Sequence, residues 1–599
     1  MSVVVLTSRQ ILSIKYASCP GKSGASSYEF NSNQTHARNT AIARLGTQIL
    51  ILACAMAPAA AWAQLAGIAA KRLPVETVVQ PDKLLDATSE GRYTADTGLR
   101  LIPSLVLGRT SARPDGEPVR RVHTLKPSLD IKWQPDKEVT VDATLHPDFS
   151  QVDLDVAQLS GNTRYALYLE ETRAFIQETS DLWQMPTAQL YTPAVTRPDW
   201  GLRATRRNDR FARTLFVIRD KGGGFVQLPT PWDTGSVEQP ASQIAATRLS
   251  WDSPEGHLAV LGIDRQYDGT AGSNRVMGTD FMLRLAEGLN LRGQWLGSDT
   301  TAQVDVSGRL AKTASVHGSH LWLGLQQRAA DVESSIQLEQ ISPGFRNDTG
   351  FVTKTGVRTV SGDTNRIWRN LGAYSEVWAY VATAQTTSLA DGLTVQRFVR
   401  PGLYLKHASS VELTSELRVL EQQRVQPGST LHRQRYLHLE LKAYPWTMAP
   451  DFKASLDAGR MVDVTADRVG SAHRTSVEFQ FLPTPRSSWT TSLQHQADGL
   501  FGWRHYAELS LHFTAGYVIA RGQDIKLLLT RRRLLRLPQP IGSSDSLDER
   551  DQAVSLSYGW LWSGYRALYL GVTRERFVRS SGGSTNTEVY LKAVYGVSP

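Results

Sequence analysis

From about Leu101 onward, apolar and polar residues alternate with a period of two in runs of roughly ten residues. Clear examples are VELTSELRV (411–419) and QRYLHLELKA (434–443), and the runs are separated by Gly, Pro, Asp, Asn and Ser. No stretch of 18 consecutive apolar residues occurs in this part of the chain, which excludes a membrane-spanning helix there. The pattern predicts a long series of antiparallel strands, each with one apolar and one polar face.

Two architectures give strands such faces: a soluble sheet packed on a core, and an outer-membrane barrel with lipid outside and a wet lumen inside. The long strands, the charged polar faces and aromatic residues near strand ends, such as Trp560 and Trp562, favour the barrel. The run TEVYLKAVYGV (587–597) is typical of a terminal barrel strand. From about twenty to twenty-four strand-like runs, we predict an all-β fold: a single large antiparallel transmembrane β-barrel of the outer-membrane type with about 20 strands.

The N-terminal region is organised differently. Arg38 and Arg44 precede the apolar run LGTQILILACAMA (45–57), and Ala61-Trp62-Ala63 follows it, which is the layout of a secretory signal peptide. We therefore predict an N-terminal extension at 1–37, a signal peptide at 38–63, a linker at 64–98 and the barrel at 99–599. Export to the outer membrane of a Gram-negative bacterium follows, and a lipoprotein signal ending at Cys54 is the alternative.

Cysteine use and charge narrow the functional classes. The two cysteines, Cys19 and Cys54, both precede the predicted cleavage site, so the mature chain would have no disulfide, thiolate nucleophile or cysteine-bound metal. The net charge is +9, of which residues 1–63 carry +4, leaving about +5 for the mature chain. This value is too small to indicate nucleic acid as a partner.

The segment 146–184 does not fit a lipid-facing strand, because charged residues occur on any face it could offer. Glu170, Glu171, Arg173 and Glu178 lie within nine residues. We predict that this segment folds into the lumen or covers one mouth of the barrel.

The same segment carries a family resemblance. HPDFSQVDLD (146–155), followed by TRYALYLEETRAFIQE (163–178), resembles the signature of a bacterial family known as a domain of unknown function (DUF5916), and GFRNDTGFVTKTG (344–356) resembles a later motif of that family. The matching positions are Asp148, Phe149, Ser150, Gln151, Val152, Asp155, Arg173, Phe175, Glu178, Gly350, Phe351 and Val352. The chain departs from the usual motif at His146, Ala174, Gln177 and Thr179.

The resemblance implies an exported outer-membrane barrel with no established reaction. Many members also carry an N-terminal carbohydrate-binding module that resembles family 9. Residues 64–98 are too few for such a β-sandwich, so this implication is weakened for the present chain.

Asp148, Asp153 and Asp155 are the calcium candidates, since clustered carboxylates in exported loops are typical calcium ligands. The alternative is that Asp148 caps a turn after Pro147 and the other two pair with luminal cations. Catalytic residues are not predicted, because His146, Asp148 and Ser150 on one extended strand cannot form a nucleophilic triad. No cofactor is therefore predicted apart from calcium, and the thirteen histidines show no zinc-binding spacing.

Three functional hypotheses remain open. The first is a channel or gated transporter of unknown substrate, narrowed by residues 146–184. The second is a membrane-anchored binding or assembly protein whose long loops engage a glycan or partner, and the third is an outer-membrane hydrolase. A membrane lipid partner is also predicted: lipopolysaccharide, whose phosphates suit the run Arg531-Arg532-Arg533 with Arg536. The alternative is that this run belongs to an ordinary solvated loop or barrel rim.

Overall fold

The computed structural model describes residues 98–147, 159, 162–169, 171, 173, 175, 180–444, 448–499, 505–537, 547–563, 565–579 and 582–597. No helix in these ranges is long and apolar enough to cross a membrane. Two short 3-10 helices occur, at Ser180–Trp183 and Thr192–Ala194. The strands are β1 Gly98–Pro114, β2 Arg120–Gln134, β3 Val139–Leu145, β4 Pro198–Arg207, β5 Phe211–Asp220, β6 Phe225–Pro229, β7 Thr234–Glu238, β8 Ser242–Ser253, β9 Gly256–Tyr267, β10 Ser273–Ala286, β11 Leu289–Val304, β12 Leu310–Arg328, β13 Val332–Ile341, β14 Val357–Leu371, β15 Tyr374–Ser388, β16 Thr394–His407, β17 Glu412–Gln423, β18 His432–Ala443, β19 Asp451–Asp463, β20 Arg468–Thr484, β21 Ser487–Ala497, β22 Tyr506–Ala520, β23 Gln523–Arg536, β24 Leu547–Ser563, β25 Arg566–Arg579 and β26 Gly582–Tyr595.

The main sheet closes on itself. Each strand pairs antiparallel with its neighbour in the chain, and β1 pairs with β26 from Ser104↔Val594 to Pro114↔Ser584. The hairpin β6–β7 stands apart and interrupts the connection between β5 and β8. The predicted barrel is thus confirmed, but the predicted number of about 20 strands is wrong: the described chain forms a closed ring of 24.

The miscount has a physical reason. Strands such as β14 (VRTVSGDTNRIWRNL) have Gly, Thr and Arg at many outward positions, so the apolar alternation is faint. Their pairing is fixed by backbone hydrogen bonds to both neighbours, which a count of apolar alternations does not detect.

The outward face of the barrel is apolar along its middle. Large aliphatic side chains that point outward, including Leu107, Ile336, Leu417 and Leu556, are exposed. The residues between them face the lumen and are mostly polar or charged, as in β17, where Glu416 alternates with Leu417. This is the reverse of a soluble barrel, whose core would be apolar.

The two edges of the barrel differ. At one edge, which we call the short-turn edge, most connections have two to four residues, as at 208–210, 254–255 and 372–373. The other, the long-loop edge, carries the connections 146–197, 221–241 and 342–356. The predicted aromatic girdle lies at the short-turn edge, where the exposed outward rings are Trp133, Trp251, Trp368, Trp489, Trp560 and Trp562.

The apolar outward face predicts that a new charge destabilises the barrel more on its outer side than on its lumen side. Ile336 is 56% exposed in the middle of β13, and Gln337 beside it faces the lumen. We expect Ile336→Lys to lower the free energy of unfolding in lipid vesicles by about 2–4 kcal/mol, because an ammonium group would enter hydrocarbon. Gln337→Lys is the matched control and should cost much less; equal losses in a urea titration would contradict a lipid-facing surface.

Candidate functional site

The inner face of the barrel is divided into two unlike walls. On β5 and β8–β11 the inward side chains form an apolar patch. Its buried members on the strands are Phe216, Ile218, Ile244, Ala246, Leu261, Ile263, Val276 and Leu296. An apolar patch inside a wet lumen needs a cover, and the chain provides one.

The cover is the luminal insert, which we define as the described residues between β3 and β4 (159, 162–169, 171, 173, 175 and 180–197). Phe175, Trp183, Met185, Leu190 and Val195 pack against the apolar patch. Phe175 and Trp183, which belong to residues 146–184, thus pack against the inner wall; the luminal or mouth-covering placement of the whole segment stays a prediction.

A buried arginine of the barrel wall holds the first part of the insert. Arg203 on β4 pairs with Asp142 on β3 at 2.5 Å and donates a hydrogen bond to the backbone oxygen of Phe175, also at 2.5 Å. The Phe175 ring lies against Gly201, where a Cβ atom would stand 2.8 Å from the ring. A larger residue at position 201 would therefore displace the insert.

Two further arginines repeat this arrangement. Arg248 on β8 pairs with Asp280 at 2.6 Å and donates to the backbone oxygen of Leu182 at 2.6 Å. Arg265 on β9 pairs with Asp220 at 3.2 Å and donates to the backbone oxygen of Asp348 at 2.8 Å. In each case a neighbouring carboxylate balances the charge, and the remaining N–H groups hold a loop that enters the lumen.

The connection between β13 and β14 locks onto the insert. The backbone N–H of Tyr191 donates to Thr349 O at 2.6 Å, and that of Phe351 donates to Ala188 O at 2.9 Å. The ring of Phe351 contacts those of Tyr168 and Tyr191, with centroids 5.1 and 5.0 Å apart. The two loops therefore form one hydrogen-bonded body.

The later family motif lies in this lock. At Gly350 a Cβ atom would stand 2.5 Å from Asn347 Nδ2 and 3.1 Å from Gln189 O, so the close approach of the two loops requires glycine there. Val352 is buried in the apolar patch. These motif residues thus have an architectural role in this chain.

Arg173 organises the insert itself. It makes a two-pronged pair with Glu171, at 2.8 and 2.7 Å, and donates to the backbone oxygens of Val195 and Thr192 at 2.6 and 2.8 Å. Burial opposes ionisation of Glu171, but the hydrogen bonds from Arg173 outweigh it and hold the pKa of Glu171 below its usual value. Arg173 therefore fixes a turn of the insert as an ion pair.

The insert reaches across the mouth of the barrel. The side chain of Asn162 donates to Val462 O at 3.0 Å and accepts from Val464 N at 2.9 Å, at the end of β19. Arg164 donates to Val425 O in the connection between β17 and β18. In the ring of 24 strands β19 lies twelve positions from β5, the strand that carries Phe216 beneath Phe175. The insert therefore joins opposite sides of the long-loop edge.

The second wall, formed by β16–β26, is polar. Its lumen-facing groups form ion pairs of both signs: Arg400–Glu421 at 3.0 Å, Arg418–Glu416 at 2.8 Å, His438–Asp457 at 2.7 Å and Arg532–Glu508 at 2.8 Å. The side chain of Arg474, which faces the lumen on β20, is 49% exposed. Water therefore reaches this wall, whereas the apolar patch opposite is covered.

One buried cation lies where the two loops meet. The ammonium group of Lys354 stands 4.4 Å from the centroid of the Tyr165 ring. The pKa of Lys354 is lowered to about 8, chiefly by burial and also by the positive charge of Arg164, whereas Glu339 opposes both effects. Closure of the mouth thus holds a lysine in surroundings that disfavour its charge.

The structure places the remaining predicted residues as follows. Asp148, Phe149, Ser150, Gln151, Val152, Asp153, Asp155 and Glu178 lie outside the described residues, so the calcium site stays a prediction. Within the described ranges, no group of three His, Cys, Asp or Glu residues is placed to hold a metal ion. Of the arginine run, Arg532 and Arg536 face the lumen, whereas Arg531 and Arg533 face outward.

The three wall arginines were not predicted from the sequence, although a signal for them exists. The runs TLFVI (214–218) and LAVLGI (258–263) are apolar on both faces, unlike the alternating strands. A strand that is apolar on both faces is covered on both, which in a barrel means lipid outside and protein inside. Arg265 follows the inward Leu261 and Ile263 on β9, and Arg248 follows the inward Ile244 and Ala246 on β8, at the same period of two.

Comparison with known proteins gives one family. Residues 97–191 match the family described as Domain of unknown function (DUF5916), so the resemblance seen in the sequence is confirmed over this range. No curated protein matches the chain.

The solved structures to which this chain is similar include two receptors, PirA and PfeA, and the protein OccAB4. The siderophore receptor PirA of Acinetobacter baumannii is 8% identical, with 83% of this chain and 80% of that chain covered and a TM-score of 0.41. A mutant of the ferric enterobactin receptor PfeA of Pseudomonas aeruginosa is 9% identical, with 83% and 81% covered and a TM-score of 0.41. OccAB4 of Acinetobacter baumannii is 8% identical, with 84% and 100% covered and a TM-score of 0.26.

The Arg203–Asp142 pair predicts a large effect of breaking one partner. Arg203→Met would leave the buried carboxylate of Asp142 uncompensated, and we expect the free energy of unfolding to fall by about 3–5 kcal/mol. Asp142→Asn combined with Arg203→Met should cost less than Arg203→Met alone, because no bare charge remains. Arg206→Met is the control: this arginine is 61% exposed, pairs with Glu138 at 3.2 Å, and should change the stability by less than about 1 kcal/mol.

Proposed function

We propose that this protein is an outer-membrane channel or gated transporter for small polar solutes, and that the luminal insert is its gate. The observation that carries the proposal is the position of the insert, which crosses the mouth from β5 to β19 and covers one wall while the other stays polar and wetted. A lumen filled with side chains from wall to wall would argue against conduction. Here the insert packs against one wall, and the polar wall on the opposite side remains accessible to water.

The membrane placement is supported by the two faces and the two edges. Bacterial barrels have an apolar outer band, aromatic girdles, short periplasmic turns and longer extracellular loops. The short-turn edge with its exposed tryptophans fits the periplasmic side, and the edge with the connections 146–197 and 342–356 fits the outside. The gate then lies at the extracellular mouth.

The polar wall supports the solute class. Its cations and anions are interleaved and paired, so it presents no strong field of one sign. Pores lined by rings of one sign select ions of the other sign. A wall of balanced charges instead offers donors and acceptors to neutral or zwitterionic polar molecules.

The gate has a firmly held end and a lightly held end. On the apolar wall, three buried arginines and the apolar patch hold Phe175 and residues 180–195. On the opposite side, the described contacts are the hydrogen bonds of Asn162 and Arg164 to backbone groups. Opening therefore begins at Asn162, while the end under β5 stays docked.

The lightly held end predicts a gain in conductance. We expect Asn162→Ala with Arg164→Ala to raise the open probability of the purified protein in a planar bilayer, because both contacts with the β17–β19 side are lost. Asn208→Ala is the control, since Asn208 also accepts two hydrogen bonds, from Arg210 N and Phe211 N, but at the short-turn edge. A folded barrel that conducts neither as the double variant nor after deletion of residues 146–184 would reject the channel.

The buried lysine predicts a pH dependence of the gate. When the gate opens, Lys354 would return to its ordinary pKa of 10.5, so between pH 8 and 10.5 the open state binds a proton that the closed state does not. Raising the pH through this range therefore favours closure, and from pH 7 to 9.5 we expect the open probability to fall on the order of tenfold.

Lys354→Met tests the cause of this pH dependence. It should keep the open probability low at both pH values, because no charge remains to be buried. An equal fall in the variant and the original protein would assign the pH dependence to another group.

A further inference from the structure

The outward face at the long-loop edge carries arginines in one sector of the barrel. The sector comprises β23, β24, β25, β26, β1 and β2, which are consecutive in the ring. Its outward arginines, which we call the arginine belt, are Arg109, Arg113, Arg121, Arg531, Arg533, Arg550, Arg574 and Arg576. Six strands span about 24 Å at the usual spacing between strands.

The register places these groups side by side. Arg550 is directly opposite Arg533, and Gln552, which is opposite Arg531, also pairs with Arg576. Arg576 pairs in turn with Thr585, whose other neighbour is Arg113. Five of the six strands in the sector thus carry belt arginines, and β26 is the one strand between them that carries none.

Most of the belt is not neutralised by protein. The outward face of the strands in this sector, so far as it is described, holds one carboxylate, Asp548, which pairs with Arg550 at 2.6 Å and Arg533 at 3.2 Å. A second carboxylate, Asp115, lies beside Gly583 in the turn after β1. No ion pair joins Arg109, Arg113, Arg121, Arg531, Arg574 or Arg576 to a carboxylate among the described residues.

Arginines elsewhere in the barrel show the contrast. On the inner face of the same strands, Arg532 contacts Glu508 at 2.8 Å and Asp551 at 3.2 Å. Among outward arginines elsewhere at the long-loop edge, Arg275 pairs with Asp264 at 3.2 Å and Arg219 pairs with Asp268. Four others, on β16, β18 and β19, form no ion pair with a carboxylate of the described residues: Arg397, Arg433, Arg435 and Arg460. The belt is therefore distinguished by its larger number of guanidinium groups on consecutive strands without a counter-charge.

The depth of the belt identifies what it meets. Exposed aliphatic residues lie directly below it on the same strands: Leu107, Leu125, Leu527, Val554, Leu556, Leu570, Val572 and Val589. An arginine at the bilayer midplane costs about 2–4 kcal/mol, and this cost falls to nearly zero at the interface. Outward arginines just beyond an apolar band therefore lie at the level of the lipid headgroups.

We infer that the arginine belt binds the phosphate groups of a multiply phosphorylated lipid in the outer leaflet. Guanidinium groups match phosphate oxygens in a two-pronged geometry and are more weakly hydrated than ammonium groups. The outward cations of the sector's described strands are all arginines and include no lysine, and His123 lies opposite Arg109. The inference rests on the proposed orientation of the barrel, with the long-loop edge outside, and is independent of whether the lumen conducts.

The test compares two triple variants of equal charge. Arg531→Gln, Arg574→Gln and Arg576→Gln remove three members of the belt; Arg206→Gln, Arg213→Gln and Arg366→Gln remove three exposed outward arginines at the short-turn edge. Each protein is first shown to be folded by its resistance to unfolding in detergent. Lipopolysaccharide that remains bound to the detergent-purified proteins is then measured by native mass spectrometry and by titration.

We expect the belt variant to bind lipopolysaccharide on the order of 100-fold more weakly than the original protein, since each arginine near an anionic surface contributes a factor of about five. The control variant should bind it normally. Equal binding by both variants would overturn the inference. The inference would also be overturned if the original protein bound enzymatically dephosphorylated lipopolysaccharide as tightly as intact lipopolysaccharide. A rise in thermal stability with inorganic phosphate alone that equals the rise with lipopolysaccharide would instead indicate a general anion site, and would overturn it too.

The conductance readout separates this inference from the proposed function. A belt variant that conducts normally but no longer binds the lipid supports the belt and leaves the channel unaffected. A protein that binds the lipid through the belt but never conducts rejects the channel alone.

Discussion

A backbone in hydrocarbon has no water to pair with, so each N–H and C=O group must find its partner within the protein. The pairing of β1 with β26 meets this requirement by removing the two free edges that an open sheet would leave. Closure has further consequences. The outward residues across the middle of the strands must be uncharged and are mostly apolar, and the sequence varies more freely on the inner face and at the two edges.

A ring of 24 strands encloses more space than the side chains of its own inner face can fill. The chain solves this problem differently on its two walls. On β5 and β8–β11 the wall is apolar, and the connections that follow β3 and β13 pack against it and cover it. On β16–β26 the wall is charged, and several of its cations, such as Arg400, Arg418 and Arg532, are paired with neighbouring carboxylates.

The anchors on the covered wall illustrate why charge is used there at all. A buried Arg–Asp pair gains little over two apolar residues of similar volume, so Arg203, Arg248 and Arg265 are poorly explained as sources of stability. What they add is position, because a guanidinium group that is already paired offers its remaining N–H groups in fixed directions. Three carbonyl oxygens of the loops accept hydrogen bonds from those groups. An apolar patch alone would not fix which part of each loop docks there.

The period of two predicted the barrel, its inner and outer faces and the odd character of residues 146–184, because those properties follow from local side-chain patterns. The strand number could not be predicted as well, since pairing of a strand such as β14 depends on neighbours far away in the chain. The contacts of the gate are also non-local: Asn162 meets Val462, and Phe351 meets Ala188. The one local signal that was available, apolar residues on both faces of TLFVI and LAVLGI, marks the wall that the insert covers.

The two faces of β23–β25 differ in how their arginine charges are balanced. Arg532 on the inside is surrounded by carboxylates of its own protein, because a cation shielded from water by the wall has no other source of counter-charge. Arg531 and Arg574, one face away, form no ion pair with a carboxylate of the described residues, and their long side chains stand beside a band of leucine and valine that ends at their level. If the membrane supplies the missing anions, as we infer for the arginine belt, the composition of the surrounding leaflet becomes part of what stabilises the barrel.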